Sequence, residues 1–503
     1  VENVFIGGLA AYDGDSGDQN TLIGYEAGQN NAASYNTALG TSALKDNTSG
    51  TNNVAIGRAA MNRNTTASQN TAVGMNSMDH NTTGDNLASL GYNSLTANTT
   101  GTNNTAIGSK ALQTNTTAGN NTAVGYISLG TNTTGTGLTS VGAFALEKNT
   151  TASNNTAVGY NCLAVNTTGS ENTAVGRLAL DANTTADNNT AIGNAALTAN
   201  TTGADCTAVG SGALRDNQSA DANTAVGKDA LGTNTTGNAN TAVGQFCLDA
   251  CTTGSTNTAV GSSALGAVTT GSNNVAVGQG AGQSLTTQGA CTLLGRDAGD
   301  ATTGAANTLV GYKVGAYQLN LVSGYANTIV GAYSDATAAT AVNAMGLGYN
   351  IDCEGGYTTL GEGGNDIRAA HGSTTWSTVS DERVKKDITD ATAGLSFVND
   401  LRPVTFNYKT KGDIPSEFKG YEEGSTEAYR NENTNHGFIA QEVKAVIDNH
   451  SEIADGFEMW SVKETGQQEV GETALIPILT KAIQELSSQV DELKAEIQTL
   501  KGE

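Results

Sequence analysis

Apolar and polar positions repeat along the first three-quarters of the chain with a fixed period. Box glycines follow an unbroken 17-residue spacing from Gly40 to Gly295, each ending a box such as Asn104–Gly108, Asn-Thr-Ala-Ile-Gly. Ala111-Leu112 and the Asn-Thr-Thr tract 115–117 complete this unit, and similar pairs and tracts recur in the others. Seventeen residues are too few for a helix pair or a propeller blade, and they suit two short strands with turns. The pattern predicts a mainly β structure, a repetitive β-solenoid (β-roll) with one unit per turn.

The alternation of side chains along a strand predicts which box positions share a face. Thr and Val of the box point to one side and Ala to the other. We expect each unit to bury a Val, a Leu and one or two Ala, which is a thin core. About twenty turns at a spacing of roughly 4.8 Å give a rod of roughly 95 Å. A rod with so thin a core favours association of chains, and we expect a parallel homotrimer.

Glycine and asparagine have specific places in this repeat. Both residues tolerate the positive φ values that sharp corners require. Stacked turns align Asn on Asn, so we expect side-chain amides to form ladders along the rod. The Asn-Thr-Thr tracts also match the N-glycosylation sequence, but as a repeated element they favour the stacking role. Five of the six cysteines fall in the repeats, and we expect buried thiols at Cys162, Cys206, Cys247, Cys251, Cys291 and Cys353; pairing between chains near a three-fold axis is the alternative.

Composition changes sharply at residue 380. Residues 1–379 hold 35 charged residues, whereas the 124 residues from 380 to 503 hold 37, together with all three prolines and only 9 of the 63 glycines. We therefore expect a domain boundary there. The net charge of −24 argues against nucleic-acid binding, and no apolar stretch is long enough for a transmembrane helix. Four scattered histidines give no metal signature, so we expect no metal and no cofactor.

The box, its spacing and the Asn-Thr-Thr tracts resemble the repeats of phage tail fibres. More loosely, they are similar to the head repeats of trimeric autotransporter adhesins. The resemblance covers residues 1 to about 335 and implies an extracellular trimeric rod. Within residues 1–379 we distinguish a shaft, 1–295, from a distal tip module, 296–379, where the 17-residue spacing slips.

Aromatic residues are concentrated in the tip module. One interpretation is that the end of a fibre closes its core with larger side chains. The other is a receptor surface, because exposed aromatic faces stack on sugar rings and anchor interfaces. The candidates for contact with a host receptor, expected to be a glycan, are Tyr333, Tyr349, Tyr357 and Trp376.

Three motifs after residue 380 resemble the intramolecular chaperone domain first described in phage endosialidases. They are Ser-Asp-Glu-Arg-Val-Lys-Lys-Asp-Ile from Ser380, the segment Gly394–Lys409, and His-Gly-Phe-Ile-Ala-Gln-Glu-Val from His436. The same domain ends many phage fibres and neck appendages and occurs in a eukaryotic membrane-bound transcription factor. The resemblance implies that residues 380–503 form a small α+β domain that trimerises, helps the fibre to fold and then cleaves itself off.

The resemblance also implies the chemistry of cleavage. The scissile bond is Val379–Ser380, with Ser380 as the nucleophile, Lys385 as the general base of a Ser-Lys dyad, and Asp381 in the motif without an assigned role. A lysine serves as a base only if burial or a neighbouring charge, for example Arg383, lowers its pKa. The Ser380 hydroxyl can reach the Val379 carbonyl through a five-membered ring, which favours an N-to-O acyl shift followed by hydrolysis; direct attack from another geometry is the alternative. The only enzymatic act expected is this single turnover.

The last segment, 474–501, predicts a coiled coil. Its apolar residues alternate in steps of three and four, with Ile or Val at one core position and Leu at the other: Ile476, Leu479, Ile483, Leu486, Val490, Leu493, Ile497 and Leu500. This choice of residues favours a dimer in isolated coiled coils. The resemblance implies a trimer, and we expect the trimer because so short a coil is subordinate to the domain before it.

Together these features predict a virion fibre or appendage protein for host attachment, located extracellularly. Because the chain begins within the repeat pattern at Val1, we expect a preceding part that joins other virion tail proteins. A bacterial surface adhesin with the same rod is one alternative. The other is a glycan-degrading fibre, which needs a pair of carboxylates near the tip; the candidates are Asp335, Asp352, Glu354, Glu362 and Asp366.

Overall fold

The computed structural model describes residues 2–14, 17–318, 321–378, 380–453 and 457–502. The chain forms two compact units, 1–379 and 380–503, divided where the composition changes. The strands are β1 Val4–Ile6, β2 Thr21–Ile23, β3 Thr37–Leu39, β4 Val54–Ile56, β5 Thr71–Val73, β6 Ala88–Leu90, β7 Thr105–Ile107, β8 Thr122–Val124, β9 Thr139–Val141, β10 Thr156–Val158, β11 Thr173–Val175, β12 Thr190–Ile192, β13 Thr207–Val209, β14 Thr224–Val226, β15 Thr241–Val243, β16 Thr258–Val260, β17 Val275–Val277, β18 Thr292–Leu294, β19 Thr308–Val310, β20 Thr328–Val330, β21 Asp335–Ala336, β22 Met345–Tyr349, β23 Asp352–Cys353, β24 Tyr357–Glu362, β25 Asn365–Ala370, β26 Ser377–Thr378, β27 Val404–Phe406, β28 Asn435–Gly437, β29 Trp460–Val462 and β30 Gln468–Val470. The helices are α1 Leu395–Asp400, α2 Ala440–Asn449 and α3 Leu475–Lys501, with 3₁₀ turns at Glu382–Val384 and Glu472–Ala474.

The first unit is the predicted solenoid of 17-residue turns. Strands β1 to β20, followed by β22 and β24, pair in parallel with the next turn, and each box residue lies beside its counterpart, as Thr156 lies beside Thr173. The prediction of two strands per turn is wrong for the shaft, where each turn contributes one three-residue strand to the ladder. The reason is conformational: Leu178 and Leu180, just after the box, have φ of 58° and 51°, and their counterparts repeat this in most other turns. Left-handed residues at alternate positions curl the backbone and prevent a second extended strand.

The core of the solenoid contains the box Ala and the Ala-Leu pair. In one turn Ala174, Ala179 and Leu180 are fully buried, whereas Thr173 and Val175 remain partly exposed. The expectation that the box Val joins the core is therefore wrong. Alternation places Val on the same side as Thr, and the Leu and Asn side chains from the rest of the turn already fill the inside.

A ladder of asparagines runs through the interior, as predicted. The Nδ2 of Asn149 donates to Oδ1 of Asn132 at 2.9 Å and to the carbonyl of Ala152 at 3.0 Å. The ladder consists of the buried residues Asn31, Asn47, Asn64, Asn81, Asn98, Asn115, Asn132, Asn149, Asn166, Asn183, Asn200, Asn217 and Asn234. Cys251 takes the next place, so Asn234 Oδ1 is left without a hydrogen-bond partner in the described part of the chain. These side chains satisfy one another and the corner carbonyls, which explains the Asn-Thr-Thr tracts by stacking.

The box asparagine makes a second ladder by a different route. The backbone N–H of Asn172 donates to Oδ1 of Asn155 at 2.8 Å, so the main chain of the next turn supplies a donor to this oxygen. Other side chains are therefore tolerated at single positions: the N–H of Cys206 donates to Asn189 Oδ1 at 2.9 Å. All six cysteines are free and buried, as predicted, and burial raises the pKa of the Cys162 and Cys206 thiols to about 12 and about 11. Such thiols are inert structural residues.

The parallel ladder continues beyond residue 295. Its paired residues Thr292, Thr308, Thr328, Met345 and Thr358 show that the turns become 16, 20, 17 and 13 residues long. Strand β25 then pairs with β24 in antiparallel fashion, and β26 pairs in the same way with β25. The core here still consists of aliphatic side chains, and the residues that change are in the connections.

The second unit is a small α+β domain. Its core packs Phe397 of α1, Val443 and Ile447 of α2, and Leu475 and Ile478 of α3. The antiparallel pair β27–β28 places Thr405 beside His436, which brings the second and third sequence motifs together. The eight coiled-coil residues of α3 lie on its outer side, and all of them are exposed in the single chain.

Candidate functional site

Ser380 and Lys385 lie next to each other at the start of the second unit. The Nζ of Lys385 donates to Oγ of Ser380 at 2.7 Å. The 3₁₀ turn Glu382–Val384 makes this approach feasible: the N–H of Lys385 donates to the carbonyl of Glu382 at 3.0 Å and folds the chain back toward Ser380. Val379, the other half of the predicted scissile bond, lies outside the described residues. The structure thus brings the predicted nucleophile and base together.

Asp381 holds this turn in place. Its carboxylate accepts the backbone N–H of Arg383 at 2.9 Å, which caps the 3₁₀ turn, and it also pairs with the Arg383 guanidinium. The hydrogen bond from the Arg383 side chain lowers the pKa of Asp381. Aspartate just before a turn is a capping signal that the sequence already contained. Arg383, expected to influence Lys385 by its charge, is instead neutralised by Asp381.

This arrangement is suited to proton removal from a serine hydroxyl. A base within hydrogen-bond distance of the nucleophile is the geometric requirement of nucleophilic catalysis by serine. Both side chains are exposed in the single chain. The burial that would activate the lysine is therefore not supplied by the neighbouring residues of this unit.

The tyrosines of the tip form a stack on the outside of the solenoid. The ring of Tyr333 meets Tyr312, Tyr317 and Tyr349 edge-on, with centroid distances of 5.2, 4.6 and 5.8 Å. Tyr349 is 52% exposed, so the interpretation that these rings close the core is wrong. Leu309, Ile329 and Ile351 fill that core instead.

The other two tip candidates lie outside this stack. The guanidinium of Arg368 lies 5.2 Å from the ring centroid of Tyr357. Trp376 is half exposed and makes no ring contact with the tyrosines in the described part of the tip. Tyr312 and Tyr317 belong to the aromatic cluster visible in the sequence but were not among the predicted receptor contacts, although Tyr312 and Tyr349 both follow a box glycine.

A second aromatic stack lies in the middle of the shaft and was missed. Phe144 meets Tyr126 and Tyr160 edge-on, at centroid distances of 5.3 and 6.1 Å. The spacing between Tyr126 and Tyr160 is two turns, which places both rings in one column. That spacing was the signal available in the sequence.

Two of the tip carboxylates that were candidates for glycan cleavage have structural partners. Asp335 is buried and accepts the backbone N–H groups of Tyr317 and Gln318. Glu354 pairs with Arg368. Asp352 is exposed, and partial desolvation raises its pKa. A glycosidase needs a free acid and a free base flanking the substrate, and these contacts disfavour Asp335 and Glu354 for either role.

A charged clamp stabilises the second unit. His450 is buried, with Nδ1 2.9 Å from Oε1 of Glu452 and Nε2 2.9 Å from Oδ2 of Asp400, and its ring packs against Phe397. The hydrogen bond to Glu452, and then the one to Asp400, raises the pKa of His450, and the same contact lowers the pKa of Glu452. The clamp is therefore strongest at weakly acidic pH, where His450 is charged and both carboxylates are ionised.

This clamp predicts a pH-dependent stability. A raised histidine pKa contributes stability that is complete below its ordinary value of 6.5 and is lost as pH rises through the folded-state pKa. We expect the melting temperature of the second unit, followed in the uncleaved Ser380→Ala chain, to fall as the pH is raised above 6.5. In His450→Gln that fall should be much smaller. The same pH dependence in both chains would contradict the role of the clamp.

Residues 380–452 match the sequence profile of the family described as the chaperone of endosialidase. The match covers the Ser380–Lys385 turn, α1, the β27–β28 pair and α2. No curated protein was found to match the chain. The solenoid and the family match together fit a tail fibre with a C-terminal chaperone domain. Across the described residues, no helix is long and apolar enough to cross a membrane, and no cluster of side chains could hold a metal ion.

Proposed function

We propose that this protein is a homotrimeric virion fibre for host attachment whose C-terminal domain directs trimerisation and folding and then cuts the chain at Val379–Ser380. The observation that carries the proposal is the 2.7 Å contact between Lys385 Nζ and Ser380 Oγ at the boundary of the two units. The family match at residues 380–452 supports the same assignment.

Cleavage proceeds in two steps, an N-to-O acyl shift and the hydrolysis of the resulting ester. Lys385 takes the hydroxyl proton as Ser380 Oγ attacks the carbonyl carbon of Val379; the C–N bond breaks, and the released amine of Ser380 takes the proton from Lys385. An ester now joins Val379 to Ser380 Oγ. Water then hydrolyses the ester, which leaves a carboxylate on Val379 and restores the serine hydroxyl. One bond is cut per chain, so the domain acts once.

The repeat explains why such a fibre needs a folding device. One turn is nearly identical to the next, so a register slipped by 17 residues retains most of its contacts. A domain that joins three chains at their C-terminal ends aligns them before the shafts form. The exposed apolar stripe of α3 supplies a surface for this joining. Once the domain is released, unfolding becomes slow because the element that nucleated folding has left.

Two substitutions of Asp381 distinguish its role in positioning Lys385 from the effect of its negative charge. We expect Asp381→Ala to slow cleavage at least tenfold, because the uncapped 3₁₀ turn no longer holds Lys385 beside Ser380. Asp381→Asn keeps a capping oxygen and loses only the ion pair with Arg383, so it should retain most of the rate. The ratio of cut to uncut chain over time, read on a denaturing gel, measures both. Equal loss in both variants would show that the carboxylate charge is required instead.

The tip tyrosines are the proposed receptor surface. We expect purified protein to bind bacterial surface glycans on an array, and Tyr333→Ala and Tyr349→Ala to abolish that binding. Tyr92→Ala is the matched control, since Tyr92 is an exposed tyrosine that follows a box glycine far from the tip. Binding that survives both tip substitutions would exclude this surface. Shortening of the glycans during the assay would instead favour the degrading alternative.

A further inference from the structure

One face of the solenoid is apolar along its whole length. In every turn of the parallel ladder the strand carries an outward, partly exposed Val, Ile or Leu, which is its third residue from β1 to β22 and the residue paired with Leu347 in β24. Its members are Ile6, Ile23, Leu39, Ile56, Val73, Leu90, Ile107, Val124, Val141, Val158, Val175, Ile192, Val209, Val226, Val243, Val260, Val277, Leu294, Val310, Val330, Leu347 and Leu360. We call this column together with the outward first residue of each strand, mostly Thr, the strand face.

The strand face contains no charged residue in any described turn of the ladder, although the unit carries 35 charged residues. The position just after the box glycine varies freely by contrast, with Arg177, Asn194 and Lys228 in three different turns. Solvent places no such restriction on an outward position, since exposed columns tolerate polar residues. An exposed column that stays aliphatic over every turn, beside a column that stays uncharged, is typical of an interface.

The length of the strand face identifies what covers it. A globular receptor contacts a few turns and leaves the other turns unconstrained. A partner that contacts all of them has to be a straight rod of roughly 100 Å with the same spacing of about 4.8 Å per turn. If each turn buries on the order of 50 Å², the face exceeds the roughly 800 Å² per partner that is typical of stable interfaces. A second copy of this solenoid has the required length and spacing.

We propose that the strand faces of three copies pack against one another in register along the shaft. The inference rests on the proposed homotrimer and adds the surface that forms it. A symmetry axis parallel to the stack places equivalent residues at the same height, so Ile192 of one copy lies next to Ile192 of the others. Because the Thr and Val columns are uncharged, each can pack against the same column of another copy without electrostatic repulsion. The shaft then holds together after the C-terminal domain has left.

Cysteine cross-linking tests this arrangement. In the uncleaved Ser380→Ala chain we place a cysteine at Ile192, which is 40% exposed on the strand face, at Thr185 on another side of the same turn, or at Leu493 in α3. A short bismaleimide is added to the native protein, and the buried native thiols are blocked during denaturation. We expect linked chains with Ile192→Cys and Leu493→Cys, and single chains with Thr185→Cys.

The outcomes distinguish the strand-face interface from the homotrimer on which it rests. Cross-linking through Leu493→Cys without Ile192→Cys means that the chains join through α3 while the strand face is not an interface, which overturns this inference alone. No cross-linking at either position overturns the trimer as well. Val226→Cys, two turns along the same column, repeats the test if the first variant folds poorly. As a second measurement, Ile192→Lys should lower the melting temperature of the shaft by several degrees, and Thr185→Lys should not.

Discussion

Chains that carry Ser380→Ala or Lys385→Ala are expected to remain full length, whereas the wild-type chain separates into residues 1–379 and 380–503. Ser380 Oγ is the attacking atom, and Lys385, whose Nζ lies 2.7 Å away, removes its proton. Loss of either member of a nucleophile–base pair lowers the rate by a factor on the order of 10³ or more. Intact-mass measurement after expression and overnight incubation distinguishes one species from two.

Lys386→Ala is the control for this prediction. Lys386 is the adjacent lysine, is exposed like Lys385, and has no hydrogen bond to Ser380 in the described structure. We expect it to cleave as wild type does. A wild-type chain that stays whole in a folded oligomer would contradict the cleavage proposal, as would an Lys385→Ala chain that still separates. Cleavage confined to the oligomer would indicate that neighbouring copies complete the site, since both side chains are exposed in a single chain.

Much of the solenoid follows from the sequence because each requirement recurs in every unit. The spacing from Gly40 to Gly295 sets the turn, the Asn columns predict the ladders, and alternation pairs Thr with Val on one side. Alternation does not say which side is the interior. That choice depends on residues elsewhere in the turn, such as Leu180 and Asn183, and these occupy the space that the box Val was expected to fill.

The number of strands per turn was not predictable from local pattern. Leu178 and Leu180 adopt positive φ, a conformation that costs an L-residue with a branched side chain roughly 1–2 kcal/mol. Nothing in a leucine signals this conformation. It persists because the turns above and below fix the backbone through hydrogen bonds such as Leu180 N–H to the Ala196 carbonyl at 3.0 Å. Stacking overrides the intrinsic preference, and stacking is a property of the assembled turns.

In the candidate site, too, the sequence indicates the residues but not the contact between them. Its residues were available from the motif that begins at Ser380, and Lys385 lies five positions after the serine. The contact itself depends on a 3₁₀ turn that Asp381 caps, and the motif assigned Asp381 no role. The coiled-coil stripe was predicted residue by residue, since a heptad pattern needs only helical periodicity.

Gly176→Ala is expected to disrupt the shaft, although it adds a single methyl group. Gly176 has φ of +138°, and a Cβ there would lie 2.3 Å from the carbonyl oxygen of Gly193 in the next turn. That oxygen belongs to backbone, which can move only if the two turns separate and the β11–β12 pairing is lost. The backbone strain alone costs about 1–3 kcal/mol. With the clash added, we expect a loss of more than about 3 kcal/mol in the free energy of unfolding.

Gly364→Ala is the matched control, because Gly364 lies in the same unit and a Cβ there would meet nothing within 4 Å. Thermal unfolding of both variants, with limited proteolysis to locate the opened turns, tests the prediction. Gly176→Ala should unfold at a clearly lower temperature or accumulate as insoluble chain, while Gly364→Ala behaves as wild type. Because every box glycine from Gly40 to Gly295 faces the next one in this way, Gly193→Ala should give the same result as Gly176→Ala. Equal stability of Gly176→Ala and wild type would show that the turns can separate freely, which is incompatible with a ladder whose spacing the glycines set.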